Sequence, residues 1–439
     1  MKEEVNKLNA SMDLIIVNAR LATLAGGEGP KRGQEMKNVR YVEDGVLGIR
    51  EGRIQFVGSR MEAQAAGVTA VTGAQTWDAK GRLVTPGLVD PHTHLVHGGS
   101  RENELAMKQA GKAYLEILAA GGGILSTVRS TRAASEEELL EQAAVSLRRM
   151  LEQGATTVEA KSGYGLDRDT ELKQLRVAKQ LNSRQPVELV STFLGPHAIP
   201  TDYKGRADEF LDEMTTLLDE IREQGLAEFA DIFCEEGVFS VEQSRRFLEA
   251  AKAKGFGLKI HADEIESLGG AELAAELGAV SADHLPASSP AGLKALADAG
   301  VVAVLLPGTS WNLRAKQHAK ARYLIDEAQA AVALATDYNP GSCPTESLQL
   351  IMAFAVNLLG MTPEEVLTAV TRNAAYAIGR GDVIGSLEVG KQADICIWNT
   401  TQLAYIPYHF GVNHIAAVFK KGVPVVRDGK MVEEGEVKR

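Results

Sequence analysis

Cysteine is scarce in this chain, and long apolar runs are absent. Three cysteines, Cys234, Cys343 and Cys396, are scattered through 439 residues, and an odd, dispersed set argues against a disulfide framework and fits a reducing compartment. No segment has the roughly eighteen continuous apolar residues of a membrane helix. Residues 1–9 are charged and lack the apolar core of a signal peptide. These absences predict a cytoplasmic protein without a membrane partner.

A basic excess is also absent. The net charge is −11 and the pI is near 5.5, with no basic patch in the sequence, so we expect no nucleic-acid partner. The composition, 45% hydrophobic and 24% charged, is that of a globular protein. The length suits one large catalytic domain and one small domain.

Both ends of the chain carry short strand patterns broken by Gly, Asn and Asp turns. Neither end has enough core to stand alone, so we expect the two to join in one small β-sandwich domain made of residues 1–82 and 386–439. The strand patterns cover residues 13–18, 47–57, 394–398, 417–419 and 423–426.

The central residues, 83–385, alternate between apolar strands and amphipathic helices. Eight strands in this arrangement predict a parallel (β/α)₈ TIM barrel. Ser135 with Glu138 predicts a capping box at the start of one helix, and another helix is predicted near residues 321–328. The predicted barrel strands are residues 83–91, 155–160, 187–194, 229–233, 257–260, 280–282, 301–306 and 331–336.

Candidate metal ligands lie where predicted barrel strands end, which is where such barrels carry their active sites. His92 and His94 follow the first strand two residues apart, so both can face one ion. His261 ends the fifth strand and Asp337 the eighth. Three imidazoles and one carboxylate suit one ion, zinc by preference and iron as the alternative. The alternatives are a hydrogen-bonded buried histidine at 261 and an Asx turn at 337.

The candidate catalytic residues are Glu264, His284 and Asp337. Glu264 lies three residues after His261 and is a candidate proton shuttle to the leaving nitrogen. His284 ends the sixth strand and can hydrogen-bond the attacking water or an oxyanion. The alternatives are an ordinary exposed glutamate at 264 and a histidine bonded to the barrel backbone at 284.

Residues 86–94, with the sequence Pro-Gly-Leu-Val-Asp-Pro-His-Thr-His, resemble the amidohydrolase signature, and His261, His284 and Asp337 fit it too. More narrowly, the chain resembles the imidazolonepropionase family of histidine degradation. That resemblance covers nearly the whole chain and rests on several segments together, namely residues 97–102, 121–124, 161–165, 195–200, 259–264 and 335–342.

The resemblance implies hydrolytic opening of 4-imidazolone-5-propanoate, a cyclic amide with a carboxylate tail, to N-formimidoyl-L-glutamate. A metal-activated water would attack the ring carbonyl. Arg101 is the candidate partner of the carboxylate, since guanidinium binds it bidentately; the alternative is a surface salt bridge. The other candidate substrate-binding residues are Tyr114, Tyr164, His197, Glu264, Asn339, Gly341 and Ser342, of which Tyr114 could instead be a packing residue.

One departure from the family pattern bears on the number of metals. Binuclear amidohydrolases bridge two metals with a carboxylated lysine on strand four, whereas here that strand ends in Cys234-Glu235-Glu236. A cysteine or glutamate substitutes in some relatives, but we favour one metal. The competing functions are a cytosine- or guanine-deaminase-like enzyme and a catalytically idle scaffold. A homodimer is left open.

Overall fold

The computed structural model describes residues 12–68, 73–111 and 122–432. Its strands are β1 (Leu14–Ala22), β2 (Tyr41–Arg50), β3 (Arg53–Ser59), β4 (Gln75–Asp78), β5 (Leu83–Pro86), β6 (Leu88–Asp90), β7 (Ala155–Lys161), β8 (Glu188–Phe193), β9 (Phe229–Ala230), β10 (Phe233–Cys234), β11 (Gly257–Ala262), β12 (Ser281–His284), β13 (Val302–Leu305), β14 (Val332–Leu334), β15 (Ile395–Trp398), β16 (Ile415–Lys420), β17 (Val423–Arg427) and β18 (Lys430–Met431).

Helices connect and cover these strands. The α-helices are α1 (Arg60–Ala65), α2 (Glu104–Gln109), α3 (Ile124–Ala133), α4 (Glu136–Glu152), α5 (Arg168–Leu181), α6 (Ala207–Glu223), α7 (Val241–Ala253), α8 (Gly270–Leu277), α9 (Pro290–Ala299), α10 (Pro307–Asn312), α11 (Leu348–Leu359), α12 (Pro363–Ala369), α13 (Arg372–Ala377) and α14 (Tyr405–Tyr408). Gly33–Lys37 and Thr201–Tyr203 are 3₁₀ turns, and Tyr323–Glu327 is a π turn. None of the helices in the described ranges is long and apolar enough to cross a membrane.

Strands from both chain ends form one mostly antiparallel sheet of nine strands, in the order β18-β17-β16-β15-β5-β1-β2-β3, with β4 beside β1. The two ends meet at β5, which pairs with β1 in parallel and with β15 in antiparallel register. One buried apolar cluster unites both ends and includes Leu21, Leu47, Ile395 and Phe419. The prediction that the two ends join in one small β unit is therefore confirmed, and the unit is a single sheet.

Eight parallel strands form the barrel, in the order β6-β7-β8-β9-β11-β12-β13-β14, with β10 beside β11. Its first and last strands are joined just beyond their ends. The Asp90 carboxylate accepts hydrogen bonds from the Thr336 amide at 3.1 Å and hydroxyl at 2.6 Å, and the Asp337 amide donates to the His92 carbonyl at 3.1 Å. The predicted barrel is confirmed, and these bonds fix two predicted ligand segments side by side.

The first predicted barrel strand, residues 83–91, is in fact two strands in two sheets. β5 belongs to the sheet of the chain ends, and only β6 belongs to the barrel. The chain crosses at Gly87, where any side chain would collide with Thr156. A run of apolar residues cannot reveal this crossing, because both halves are buried strands.

Helix limits follow the local sequence signals. Ser135 and Glu138 form the predicted capping box, in which the Ser135 amide donates to the Glu138 carboxylate at 2.8 Å and the Glu138 amide donates to the Ser135 hydroxyl at 3.2 Å. The helix predicted near 321–328 does form, with π geometry over Tyr323–Glu327. Helices α11 to α13, which follow the last barrel strand, were not predicted.

Buried Arg372 on α13 ties the segment after β1 to the barrel. Its guanidinium donates to the carbonyl oxygens of Leu24 at 2.8 Å, Gly27 at 2.7 Å and Gly29 at 2.8 and 3.0 Å. Hydrogen bonds from a charged donor are the stronger kind. This one side chain therefore connects α13 to the segment that follows β1 through three backbone carbonyls.

We predict that Arg372→Met lowers the free energy of unfolding by about 3 kcal/mol or more, because it removes four hydrogen bonds from a charged donor and leaves the buried Leu24 carbonyl without one. Urea denaturation followed by circular dichroism measures the change. Arg184→Met is the control, since the Arg184 side chain is half exposed. Equal stability of the two variants would contradict this role.

Candidate metal centre and surrounding pocket

The four predicted metal ligands converge at the carboxyl ends of the barrel strands, and all four are buried. Nε2 of His92 lies 3.5 Å and Nε2 of His94 lies 3.4 Å from Oδ1 of Asp337. The rings of His92 and His261 have centroids 4.5 Å apart. Residues distant in the sequence thus surround one small volume.

The donor atoms have the spacing that a metal ion needs. In each of three triads the ligating atoms lie within 4.8 Å of one another; the triads are His92-His261-His284, His94-His197-His261 and His92-His94-Asp337. Nε2 of His92, Nδ1 of His94 and Nε2 of His261 are buried without a hydrogen-bond partner. Buried polar atoms are rarely left unpaired, and imidazole with carboxylate is a donor set typical of zinc and iron. The residues therefore fit a bound metal.

Side chains behind the ligands fix their orientation. Oδ2 of Asp283 lies 2.6 Å from Nδ1 of His92, and Oδ2 of Asp231 lies 3.0 Å from Nδ1 of His261. Metal-binding histidines commonly present their second nitrogen to a carboxylate in this way. Sequence reasoning did not assign these aspartates. Their signal was a charged residue within or beside an apolar strand, which must find a partner when it is buried.

Glu264 and His284 lie beside the ligands, with Oε1 of Glu264 3.6 Å from Nδ1 of His284. Burial, aided by the neighbouring carboxylates of Asp337 and Glu235, raises the pKa of Glu264 to about 8. Burial lowers the pKa of His284 to about 3. The pair thus combines a carboxyl that titrates near neutral pH with a neutral imidazole.

Two buried carboxylates hold the loop that carries Glu264. Asp263 accepts hydrogen bonds from the amides of Leu268, Gly269 and Gly270 at 3.0–3.1 Å. Glu235, which follows β10, accepts hydrogen bonds from the two amides after Glu264, those of Ile265 at 2.8 Å and Glu266 at 3.1 Å. Glu235 is therefore engaged with this loop and lies in none of the candidate metal triads of the described residues.

Arg101 lies at the loop that follows β14, the last strand of the barrel. Its Nε and Nη2 each lie 2.9 Å from a carboxylate oxygen of Glu104, and its side chain is 11% exposed. A side chain at Gly341 would collide with Nη1 of Arg101, so the glycine gives the guanidinium its place. The ion pair considered as the alternative does exist, but it is buried rather than at the surface. Tyr114 lies outside the described residues.

The rings of His197 and Tyr164 form one wall beside the ligands. The His197 ring stacks on that of His94 at 4.8 Å between centroids and 8° between planes, and the Tyr164 ring lies 5.5 Å from that of His94. Nδ1 of His197 lies 3.0 Å from the Gly163 carbonyl oxygen, so this nitrogen carries the proton and Nε2 is left as an acceptor. Burial lowers the pKa of His197 to about 3.

Asn339 holds together the segment that follows β14. Its Nδ2 donates to the Asp337 carbonyl and to the Ser342 hydroxyl, both at 2.7 Å, and its Oδ1 accepts from the Gly341 and Ser342 amides, both at 2.8 Å. The hydroxyl of Thr309, which sequence reasoning missed, donates to Asp337 at 2.5 Å. The Asn339 amide therefore shapes the loop from within.

Comparison with known proteins agrees with this arrangement. The amidohydrolase family model matches residues 83–432. The chain is 57% identical over 420 residues to the imidazolonepropionase of Bacillus velezensis, covering 95% of this chain and 98% of that protein. It is 54% identical over 423 residues to the imidazolonepropionase of Alkaliphilus metalliredigens, covering 96% and 100%. The chain belongs to the amidohydrolase family and, within it, to the imidazolonepropionases.

Solved structures of other enzymes share the fold at low sequence identity. An adenosine deaminase from Xanthomonas campestris with bound zinc superposes with a TM-score of 0.70 at 19% identity, covering 98% of this chain and 96% of that chain. The guanine deaminase of E. coli gives 0.70 at 15% identity, covering 94% and 98%. At such identities the likeness establishes the fold alone.

Proposed function

We propose that this chain is a metal-dependent hydrolase that opens 4-imidazolone-5-propanoate. One water is consumed, the ring C–N bond of the cyclic amide breaks, and the product is N-formimidoyl-L-glutamate. The main support is the 54–57% identity, over 95–96% of this chain, to relatives that bear the name imidazolonepropionase. The converging histidines and Asp337 supply the matching chemistry.

One metal ion, zinc or iron, is held by His92, His94, His261 and Asp337 in this proposal. When bound, such a metal supplies Lewis acidity, which lowers the pKa of water to about 7 and polarises a carbonyl group. A single ion is favoured because strand four lacks the bridging lysine of binuclear relatives and Glu235 is committed to the loop of Glu264.

Glu264 moves the proton in this proposal, and His284 supports the reacting carbonyl. Ring opening requires a proton at the departing nitrogen, and a carboxyl with a pKa near neutral both takes up and releases protons at pH 7. His284, as a neutral imidazole, has one N–H to donate to a developing oxyanion. The proximity of the two side chains supports their joint action.

Arg101 recognises the carboxylate tail in this proposal, with Tyr164 and His197 beside the ring. Nε2 of His197 suits an N–H of the substrate ring, because its Nδ1 proton is already donated to Gly163. Asn339 and Ser342 shape the loop on the Arg101 side, and Gly341 leaves room for the guanidinium. An anionic tail thereby distinguishes the substrate from neutral bases such as cytosine.

The direct test uses the purified chain and enzymatically generated imidazolone propionate, whose ultraviolet absorbance is followed. We expect metal-dependent loss of that absorbance and no turnover of cytosine or guanine. Turnover of either base without turnover of imidazolone propionate would contradict the proposal and favour a deaminase. A metal-loaded chain that turns over none of the three compounds would favour a scaffold.

We predict that Glu264→Gln keeps its metal and its substrate affinity but lowers kcat by roughly 10²–10⁴, since glutamine preserves size but carries no exchangeable acid proton. Steady-state kinetics and elemental analysis give both values. Glu266→Gln, an exposed position on the same loop, is the matched control. A kcat near that of the parent would move the shuttle to His284, and loss of the metal would make Glu264 a ligand.

We predict that Arg101→Lys raises KM by about 10-fold or more with little change in kcat. The lysine keeps a positive charge for buried Glu104 but loses the planar fork, and a charge-assisted hydrogen bond contributes about 1.5–3 kcal/mol. Arg149→Lys is the control, because Arg149 pairs with Glu346 at the surface. If KM for imidazolone propionate stays unchanged, Arg101 does not bind the tail.

A further inference from the structure

Two lysines and three carboxylates lie fully buried beneath the candidate metal centre. Lys161 and Lys259 have side chains that are 0% exposed, as do Glu159, Asp231 and Asp283. Isolated buried charges are costly, so each must be paired. The candidate metal ligands and the proton shuttle do not include any of the five.

Lys161 is the cation at the centre of this group. Its Nζ lies 2.8 Å from Oδ2 of Asp231, 3.1 Å from Oε1 of Glu159 and 3.4 Å from Oδ2 of Asp283. Glu159, Asp283 and His92 have the mutual spacing of a further metal site. The Lys161 ammonium group already lies against both carboxylates and takes the place of a metal ion there.

Both aspartates that contact Lys161 also contact a candidate metal ligand. Oδ2 of Asp283, which faces Nζ, is the same atom that lies 2.6 Å from Nδ1 of His92. Oδ2 of Asp231, which also faces Nζ, lies 3.0 Å from Nδ1 of His261. One ammonium group therefore contacts the carboxylates behind two of the candidate ligand histidines.

We infer that Lys161 is a positioning residue of the metal centre, which holds the carboxylates of Asp231 and Asp283 in place against His261 and His92. Asp283 then keeps the proton of His92 on Nδ1 and leaves Nε2 for the metal. Asp231 contacts Nδ1 of His261 at 3.0 Å, outside hydrogen-bond geometry, and limits the orientation of that ring. The inference rests on the proposed ligand roles of these histidines. It gives Lys161, the last residue of β7, a role apart from the substrate pocket.

Lys259 provides a matched comparison within the same group. It is equally buried and also pairs with Glu159, at 3.0 Å, but its other contacts are the carbonyl oxygens of Pro91 at 3.0 Å and Ala377 at 3.3 Å. Its charge acts on Asp283 from a distance, whereas Lys161 touches both aspartates. Replacing each lysine separates contact with the aspartates from buried charge alone.

The test measures metal retention of the zinc-loaded protein against a competing chelator, with Lys161→Met and Lys259→Met compared with the parent. We expect Lys161→Met to weaken zinc binding roughly 10- to 100-fold, as loss of supporting groups does at metal centres, and Lys259→Met to weaken it far less. The visible spectrum of the cobalt-substituted protein should change in Lys161→Met and match that of the parent in Lys259→Met.

Equal zinc affinity and an unchanged cobalt spectrum in Lys161→Met would overturn the inference, as would equal losses in the two variants. Lys161→Gln, which keeps N–H donors near the carboxylates, covers poor folding of the methionine variant and should bind zinc with intermediate affinity. If neither Lys161 variant folds while Lys259→Met does, Lys161 serves the fold and the inference fails. A parent chain that binds no metal would instead refute the proposed centre itself.

Discussion

Unpaired imidazole nitrogens buried at the mouth of the barrel are the constraint on which the rest of the structure depends. Nitrogens of His92, His94 and His261 converge there without hydrogen-bond partners, and a buried polar group left unsatisfied costs about 1–3 kcal/mol. A metal ion bound by these nitrogens removes that cost. The bonds that join the first and eighth strands at Asp90 and Asp337 hold the geometry in place.

The site is layered around these nitrogens. Beneath them, carboxylates of Asp231 and Asp283 orient two of the rings and are balanced by a buried lysine. Above them, Glu264 is supported by its own loop and has a pKa near neutral. Opening a cyclic amide needs an electrophilic centre, a proton carrier and recognition of the substrate's charge, and the proposed function assigns these tasks to different side chains.

Much of this follows from local sequence rules. A spacing of two residues just beyond the first barrel strand lets His92 and His94 face one point, and the barrel rule collects His261 and Asp337 at the same end, so the cluster of candidate ligands was predictable. The crossing at Gly87 was not, because both halves of the run are apolar. The roles of Asp231 and Asp283 were also missed, since their partners lie on other strands. Lys259 and His261 lie two residues apart and so face the same side of their strand. A lysine at such a position in an apolar strand was the available signal that buried carboxylates lie nearby.

Titration of the metal-free chain with zinc, while imidazolone propionate is supplied, tests the central claim most directly. The account predicts that hydrolysis is absent without metal, rises in proportion to added zinc and reaches its full rate at one equivalent per chain. Full activity of the metal-free chain, or a rate that continues to rise until two equivalents are bound, would contradict it.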